Sequence, residues 1–159
     1  MTYLMLKYIH ILSATILFGT GMGTAFFMLM AYFSNDIQAI RITTKHVVLA
    51  DTFFTLPTVI IQPITGIYLM LVLNYQFNTL WFAMVAALYI LAGLCWLRVV
   101  WIQFRFKKIA SITNTLSQEF HRLMREWIIL GCIAFIALVI VYWLMVFKTG
   151  LGEKIFQSG

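Results

Sequence analysis

Charge is what this sequence has least of. Of 159 residues only 10% are Asp, Glu, Lys or Arg, and just five are acidic, where a soluble domain carries about a quarter charged residues. Hydrophobic residues make up 63% of the chain and the mean hydropathy is +0.96, which excludes an ordinary soluble domain and implies an integral membrane protein. The chain holds two cysteines, Cys95 and Cys132; they have no C-x-x-C spacing and read as small apolar residues within spans rather than as a redox pair. No nucleophile and base pair, no paired catalytic carboxylates and no phosphate loop occur, Gly150 and Gly152 being too few and following a span instead of a strand. Nothing in the sequence points to hydrolysis or phosphoryl transfer, and redox through a bound cofactor is the class of chemistry these residues permit. No internal repeat, low-complexity tract or Pro/Gly/Ser linker marks a second domain, so residues 1–159 read as one integral membrane domain.

Four apolar runs are present, each long enough to cross a hydrocarbon core of about 30 Å: residues 3–33, 47–73, 80–104 and 127–147. The expected fold is all-α, a transmembrane four-helix bundle. The first run has Lys7 near its start but no small-residue cleavage region, and reads as a retained span instead of a signal peptide. Arg41 and Lys45 lie between the first two runs, and Arg105, Lys107, Lys108, Arg122 and Arg125 between the last two, while residues 74–79 hold no cation. The positive-inside rule then makes the first and third loops cytoplasmic and puts both termini outside, despite Lys7, Lys148 and Lys154. The formal charge of +6 reflects topology and attraction to anionic lipid. With no basic groove or stacking platform, nucleic acid is not an expected partner.

At 100° per residue, His10 shares a face with Lys7, Ser13, Ala14, Leu17, Gly21 and Thr24, a face that is small and partly polar. Gly19 and Gly23 form a G-x-x-x-G on roughly the opposite side and read as a helix-packing contact. In the second run Asp51, Thr55, Thr58, Gln62, Thr65 and Gly66 fall within about 60° of one line, a polar stripe across the membrane. Such groups need partners in hydrocarbon, so the stripe is expected to face the bundle interior, a cofactor or water. Pro57 and Pro63 lie off that line and bend the helix. In the third run Phe82, Tyr89, Gly93, Trp96 and Gln103 share one side and Arg98 points away. Arg98 and Asp51 lie at similar depths, so an ion pair between them is one expectation and a snorkelling Arg98 the other. His46 and His121 stand at the water boundary, as solvated residues or, where their helix ends meet, a two-histidine site.

A neutral histidine about 10 Å below the surface, at 1.5 Å per residue, serves as a helix-to-helix hydrogen bond, a proton relay or an axial haem ligand. Haem needs an imidazole or soft donor, an apolar slot and cations for its propionates. Lys7 lies one turn outward from His10, and Ser13, Ala14 and Gly21 leave room for a planar ring below.

The stretch "YLMLKYIHI" resembles the opening of bacterial HemJ-type protoporphyrinogen oxidases and of related copper-resistance D type membrane proteins. The resemblance, confined to the first helix, implies His10 as the ligand of a haem b iron, with Lys7 the basic residue before it. Where HemJ-type enzymes carry a third-helix lysine, this chain has only Arg98. "HVVLADTFFTLPTVIIQPITGIYL" and "LYILAGLCWLRVVWIQFRFKKIA" resemble a family of predicted bacterial integral membrane proteins of unknown function, over nearly the whole chain; this resemblance implies no activity.

The leading expectation is a haem b protein of the bacterial inner membrane. It passes electrons between a membrane-soluble carrier, a quinone or porphyrin, and a partner, with His10, Lys7, Ser13, Gly21 and Gln62 around the cofactor. His46 and His121 lie at the other face, so the haem is five-coordinate, has a non-histidine sixth ligand, or is shared by a homodimer. The alternatives are a cofactor-free small transporter or channel lined by the Asp51 to Gln62 stripe, and an accessory subunit of a larger membrane complex.

Overall fold

A computed structural model of the chain describes residues 2–112 and 116–147; Lys148, Lys154, Gly150 and Gly152 lie outside the described residues. The described chain is helical throughout, without strands: α1 (Thr2–Phe33), α2 (Ile37–Val72), α3 (Leu80–Ile112) and α4 (Gln118–Val146), all four long and apolar enough to cross a membrane.

Short polar signals stop and start them. After α1 the chain turns through Asn35, whose positive φ of 54° suits a helix C-terminus, and Asp36 caps α2 by accepting from the Gln38 N–H at 2.8 Å. Asn74, φ 53°, closes α2 in the same way, and the Ser117 hydroxyl caps α4 by accepting from the Phe120 N–H. Three helix ends therefore reach further than the apolar runs predict. α2 begins at Ile37 instead of residue 47, α3 runs on to Ile112 instead of 104, and α4 begins at Gln118 instead of 127. The cations expected in loops, Arg41, Lys45, Arg105, Lys107, Lys108, Arg122 and Arg125, all stand on these helical extensions. Hydropathy detects where lipid ends; the backbone ladder continues past that point until a cap ends it.

The prolines shape α2. Pro57 has no N–H, and the turn before it, Asp51–Thr55, is widened to a π turn in which the Leu56 N–H bonds the Asp51 carbonyl. Pro63 likewise leaves the Val59 carbonyl, four residues back, without its helical donor. The Tyr89 hydroxyl of α3 supplies the missing hydrogen at 2.7 Å.

α1 packs along α2, the first half of α2 also packs on α3, and α3 runs beside α4, while α1 and α4 approach at few points. The end of the bundle that carries most of the cations is tightly filled, with Met28, Ile40, Ile102, Phe106, Phe120 and Met124 at 1% exposure or less. Two ion pairs tie α3 to α4 on the outside, Arg98 to Glu126 at 2.7 Å and Arg105 to Glu119 at 2.5 Å. The middle of the bundle is open, and the end that holds His10 is closed by polar contacts between α1 and α2.

Candidate functional site

The polar stripe of α2 turns inward, as expected: Asp51, Thr55, Thr58, Gln62 and Thr65 are all buried, at 3% to 9% exposure. Its members divide into two groups with different partners.

The first group holds His10. The Gln62 side-chain amide donates both hydrogens to α1, one to the His10 carbonyl and one to Ser13 Oγ, each at 2.7 Å. Ser13, in turn, donates to the His10 carbonyl at 3.1 Å. The His10 ring meets Thr65, with Nδ1 2.8 Å from Oγ1. Thr65 has a single hydroxyl proton, and it has an acceptor within its own helix, the Ile61 carbonyl at 2.7 Å. With that proton on the Ile61 carbonyl, Thr65 accepts from His10 Nδ1–H and the lone pair of the neutral ring falls on Nε2; with it turned to Nδ1, the ring proton falls on Nε2 instead. Among the described residues Nε2 has no hydrogen-bond partner. Gly66 makes the approach possible, since a Cβ there would stand 3.3 Å from His10 Cε1. An imidazole whose Nδ1–H is anchored and whose Nε2 is free has the usual arrangement of a metal-ligating histidine.

The second group faces α3. Asp51, 7% exposed, accepts from the Thr55 hydroxyl and from the Gln103 amide, each at 2.8 Å. The expected pair with Arg98 does not form. Arg98 points away from α2, bonds Glu126 of α4 and lies over the Trp101 ring at 4.3 Å. Gln103, on the inward side of α3, takes the place beside Asp51. Thr58, between the two groups, bonds the Phe54 and Thr55 carbonyls of its own helix.

Asp51 and Thr55 also border a cavity of about 590 Å³ at the centre of the bundle. Its wall is largely aromatic and aliphatic, drawn from all four helices, and includes Gly21, Tyr89, Trp96 and Trp127. His10 is not among the lining residues.

The remaining expected site residues are thus scattered. Lys7 is exposed, its ammonium 5.9 Å from the centre of the Tyr3 ring. Gly21 borders the cavity, about 16 Å along the helix from His10 at 1.5 Å per residue, so the two do not share one pocket. The close helix contact expected at Gly19 and Gly23 is not formed among the described residues, since a Cβ on either would touch nothing within 4 Å. Cys95 is buried as expected, but Cys132 is exposed and borders the cavity. His121 bonds the Tyr32 hydroxyl at 2.7 Å and His46 is exposed. No cluster of three or more His, Cys, Asp or Glu side chains is present among the described residues.

Three features were absent from the reading of the sequence: the role of Gly66 beneath the His10 ring, the Gln103 partner of Asp51, and the cavity. Gln103 had a signal, since it shares the inward face of α3 with Tyr89 and Trp96. The attraction of opposite charges favoured Arg98 instead.

No curated protein and no solved structure matches this chain. The family described as Predicted integral membrane protein (DUF2269) matches residues 4–149. With four membrane-crossing helices, a polar stripe turned into the bundle and a match over nearly all its length, the chain belongs to that family of integral membrane proteins.

Proposed function

We propose that this is a b-type haem protein of the bacterial inner membrane, in which His10 Nε2 is the iron ligand, with a redox role toward a membrane-soluble carrier such as a quinone or porphyrin. One observation carries the reading: the His10 ring is anchored through Nδ1, 2.8 Å from Thr65 Oγ1, while Nε2 has no hydrogen-bond partner among the described residues. The first-helix resemblance to haem-ligating membrane proteins points to the same residue.

The donor set fits haem. Iron takes an imidazole nitrogen, and the second partner of that imidazole sets its orientation and basicity. Thr65 supplies that partner, Gln62 and Ser13 fix the α1 backbone at His10, and Gly66 gives the ring its place. Lys7, one turn outward and exposed, is available to a propionate. His46 and His121 stand at the opposite end of the bundle, so within one chain His10 is the histidine that would hold the iron. When bound, haem would supply one-electron chemistry; His10 would hold it, and Thr65 would set the orientation of the ligating ring.

The test is the reduced-minus-oxidised visible spectrum of detergent-purified protein expressed with added haem. Sharp α and Soret bands are expected in the wild type and none in His10→Ala. Thr65→Val should weaken haem affinity by roughly 10- to 100-fold, the usual loss when the partner of a ligating histidine is removed. Thr65→Ser should keep it. A colourless wild type, or a His10→Ala protein with full haem content, would overturn the reading.

A further inference from the structure

At the end of the bundle away from His10, α2 and α3 frame a pocket of about 430 Å³ lined by Arg41, Lys45, Phe104, Lys107 and Lys108. We infer that it binds an anionic phospholipid, with the headgroup phosphate among the four cations and an acyl chain against Phe104. The inference stands apart from His10 and from haem.

Three observations lead to this ligand. The first is charge. Two other cations of α3, Arg98 and Arg105, pair with Glu126 and Glu119 of α4, whereas no acidic side chain borders this pocket. Arg41 and Lys45 stand one turn apart on α2, and Lys107 and Lys108 are neighbours on α3, so two helices bring four like charges to one place. Like charges one helical turn apart repel, and an anion held between the helices relieves that repulsion. Topology alone calls for cations at this end, and the exposed Arg122 and Arg125 of α4 meet that call without bordering the pocket.

The second observation is depth. Phe104 ends the apolar run of α3, and Lys107 stands about 4.5 Å beyond it at 1.5 Å per residue. On α2, Lys45 lies just outside the apolar run that starts at residue 47, and Arg41 one turn further out. The pocket thus straddles the edge of the hydrocarbon, the level of the headgroup phosphates. Basic pockets between transmembrane helices at this level hold acidic headgroups.

The third is the division of the wall. Phe104 is 54% exposed and lies on the hydrocarbon side of the cations, so the wall is apolar toward the bilayer core and basic toward water. A free phosphate uses only the basic part, whereas a glycerophospholipid covers both.

The experiment is native mass spectrometry of the full chain in detergent, titrated with dioleoylphosphatidylglycerol and, separately, with dioleoylphosphatidylcholine, which has the same chains and no net charge. Saturable binding of phosphatidylglycerol is expected, at least about tenfold tighter than phosphatidylcholine, and the same in His10→Ala. Lys45→Gln combined with Lys107→Gln removes one exposed cation from each helix. It should weaken phosphatidylglycerol binding by about 30-fold, from about fivefold per cation. Arg122→Gln combined with Arg125→Gln removes the same charge outside the pocket and should weaken it by less than about fivefold, because screening by salt confines the attraction to near charges. Equal losses in the two double variants would overturn the proposal, since net charge alone would then attract the lipid. Equal binding of the two lipids would overturn it as well. Inorganic phosphate that displaced phosphatidylglycerol at matched concentration would make this a site for a soluble anion and would overturn the lipid as its occupant.

Discussion

Replacing Thr65 by valine tests the heart of the His10 arrangement with almost no change of shape. The variant removes one acceptor, 2.8 Å from His10 Nδ1, at a position that is 7% exposed. In a soluble core, stranding a buried donor costs about 1 to 3 kcal/mol. Hydrogen bonds between membrane helices average about 0.6 kcal/mol and reach about 1.7. The imidazole also has an escape, since its proton can move to Nε2 and leave Nδ1 bare. The expected loss of stability is therefore about 1 kcal/mol, read as a lower midpoint in detergent-mixture unfolding of haem-free protein. The larger effect falls on the ring. Nitrogen-15 spectra of labelled His10 should show Nδ1 as the protonated nitrogen in the wild type and in Thr65→Ser, and a mixture of tautomers in Thr65→Val. A wild-type ring protonated on Nε2 would refute the reasoning at its base. Equal destabilisation by Thr65→Ser and Thr65→Val would refute the hydroxyl's part in it.

Three further predictions follow from the same kind of accounting. Tyr89→Phe leaves the Val59 carbonyl without a donor and should destabilise by about 0.6 to 1.7 kcal/mol. Against a Pro63→Ala background, where residue 63 regains the N–H that bonds Val59, the same substitution should cost close to nothing, and a double-mutant cycle measures the difference. Gln103→Leu leaves one Asp51 oxygen without its donor and should cost about 1 to 3 kcal/mol; adding Asp51→Leu should recover most of it in the same unfolding assay, because no polar group is then left unpaired. Gly66→Ala places a methyl 3.3 Å from His10 Cε1. It should lower haem content per protein, measured by pyridine haemochrome, while moving the unfolding midpoint by less than about 1 kcal/mol.

The four-helix membrane architecture was legible because hydropathy and length decide it almost alone. The inward face of α2 was legible for the same reason, since five polar residues on one line have nowhere else to go in lipid. Helix ends were less so: Asp36 and Ser117 are ordinary capping residues, and nothing in an apolar profile shows that a charged stretch beside a span continues its helix. Pairing between helices was the least legible. Asp51 meets Gln103 and not Arg98 because the bundle's rotation aims one inward and the other outward, and rotation is set by packing of residues such as Met28, Ile102 and Phe106. The cavity depends on all four helices at once and on the π turn before Pro57, so it has no local signature.

The stripe on α2 reads as a continuous polar line in the sequence, yet it is interrupted in the fold, and this bears on how the two ends of the molecule communicate. Gln62 and Thr65 are completed by α1, and Asp51 is completed by α3. Thr58, midway, is bonded to the Phe54 and Thr55 carbonyls of its own helix at 2.7 and 2.9 Å, with no side chain of either group beside it in hydrogen-bond contact. Asp51 and Gln62 lie eleven residues apart, about 16 Å along the helix. A proton relay or an ion path along α2 needs an unbroken series of donors and acceptors across that interval, and the side chains of α2 do not provide one. The interruption at Thr58 therefore weighs against permeation along the stripe, since neither group hands a donor or an acceptor to the other there. Thr58→Ser, which keeps both bonds within the helix, should leave the unfolding midpoint of the detergent-purified protein within about 0.5 kcal/mol of the wild type, and a larger loss would show that Thr58 is tied to one of the two groups after all.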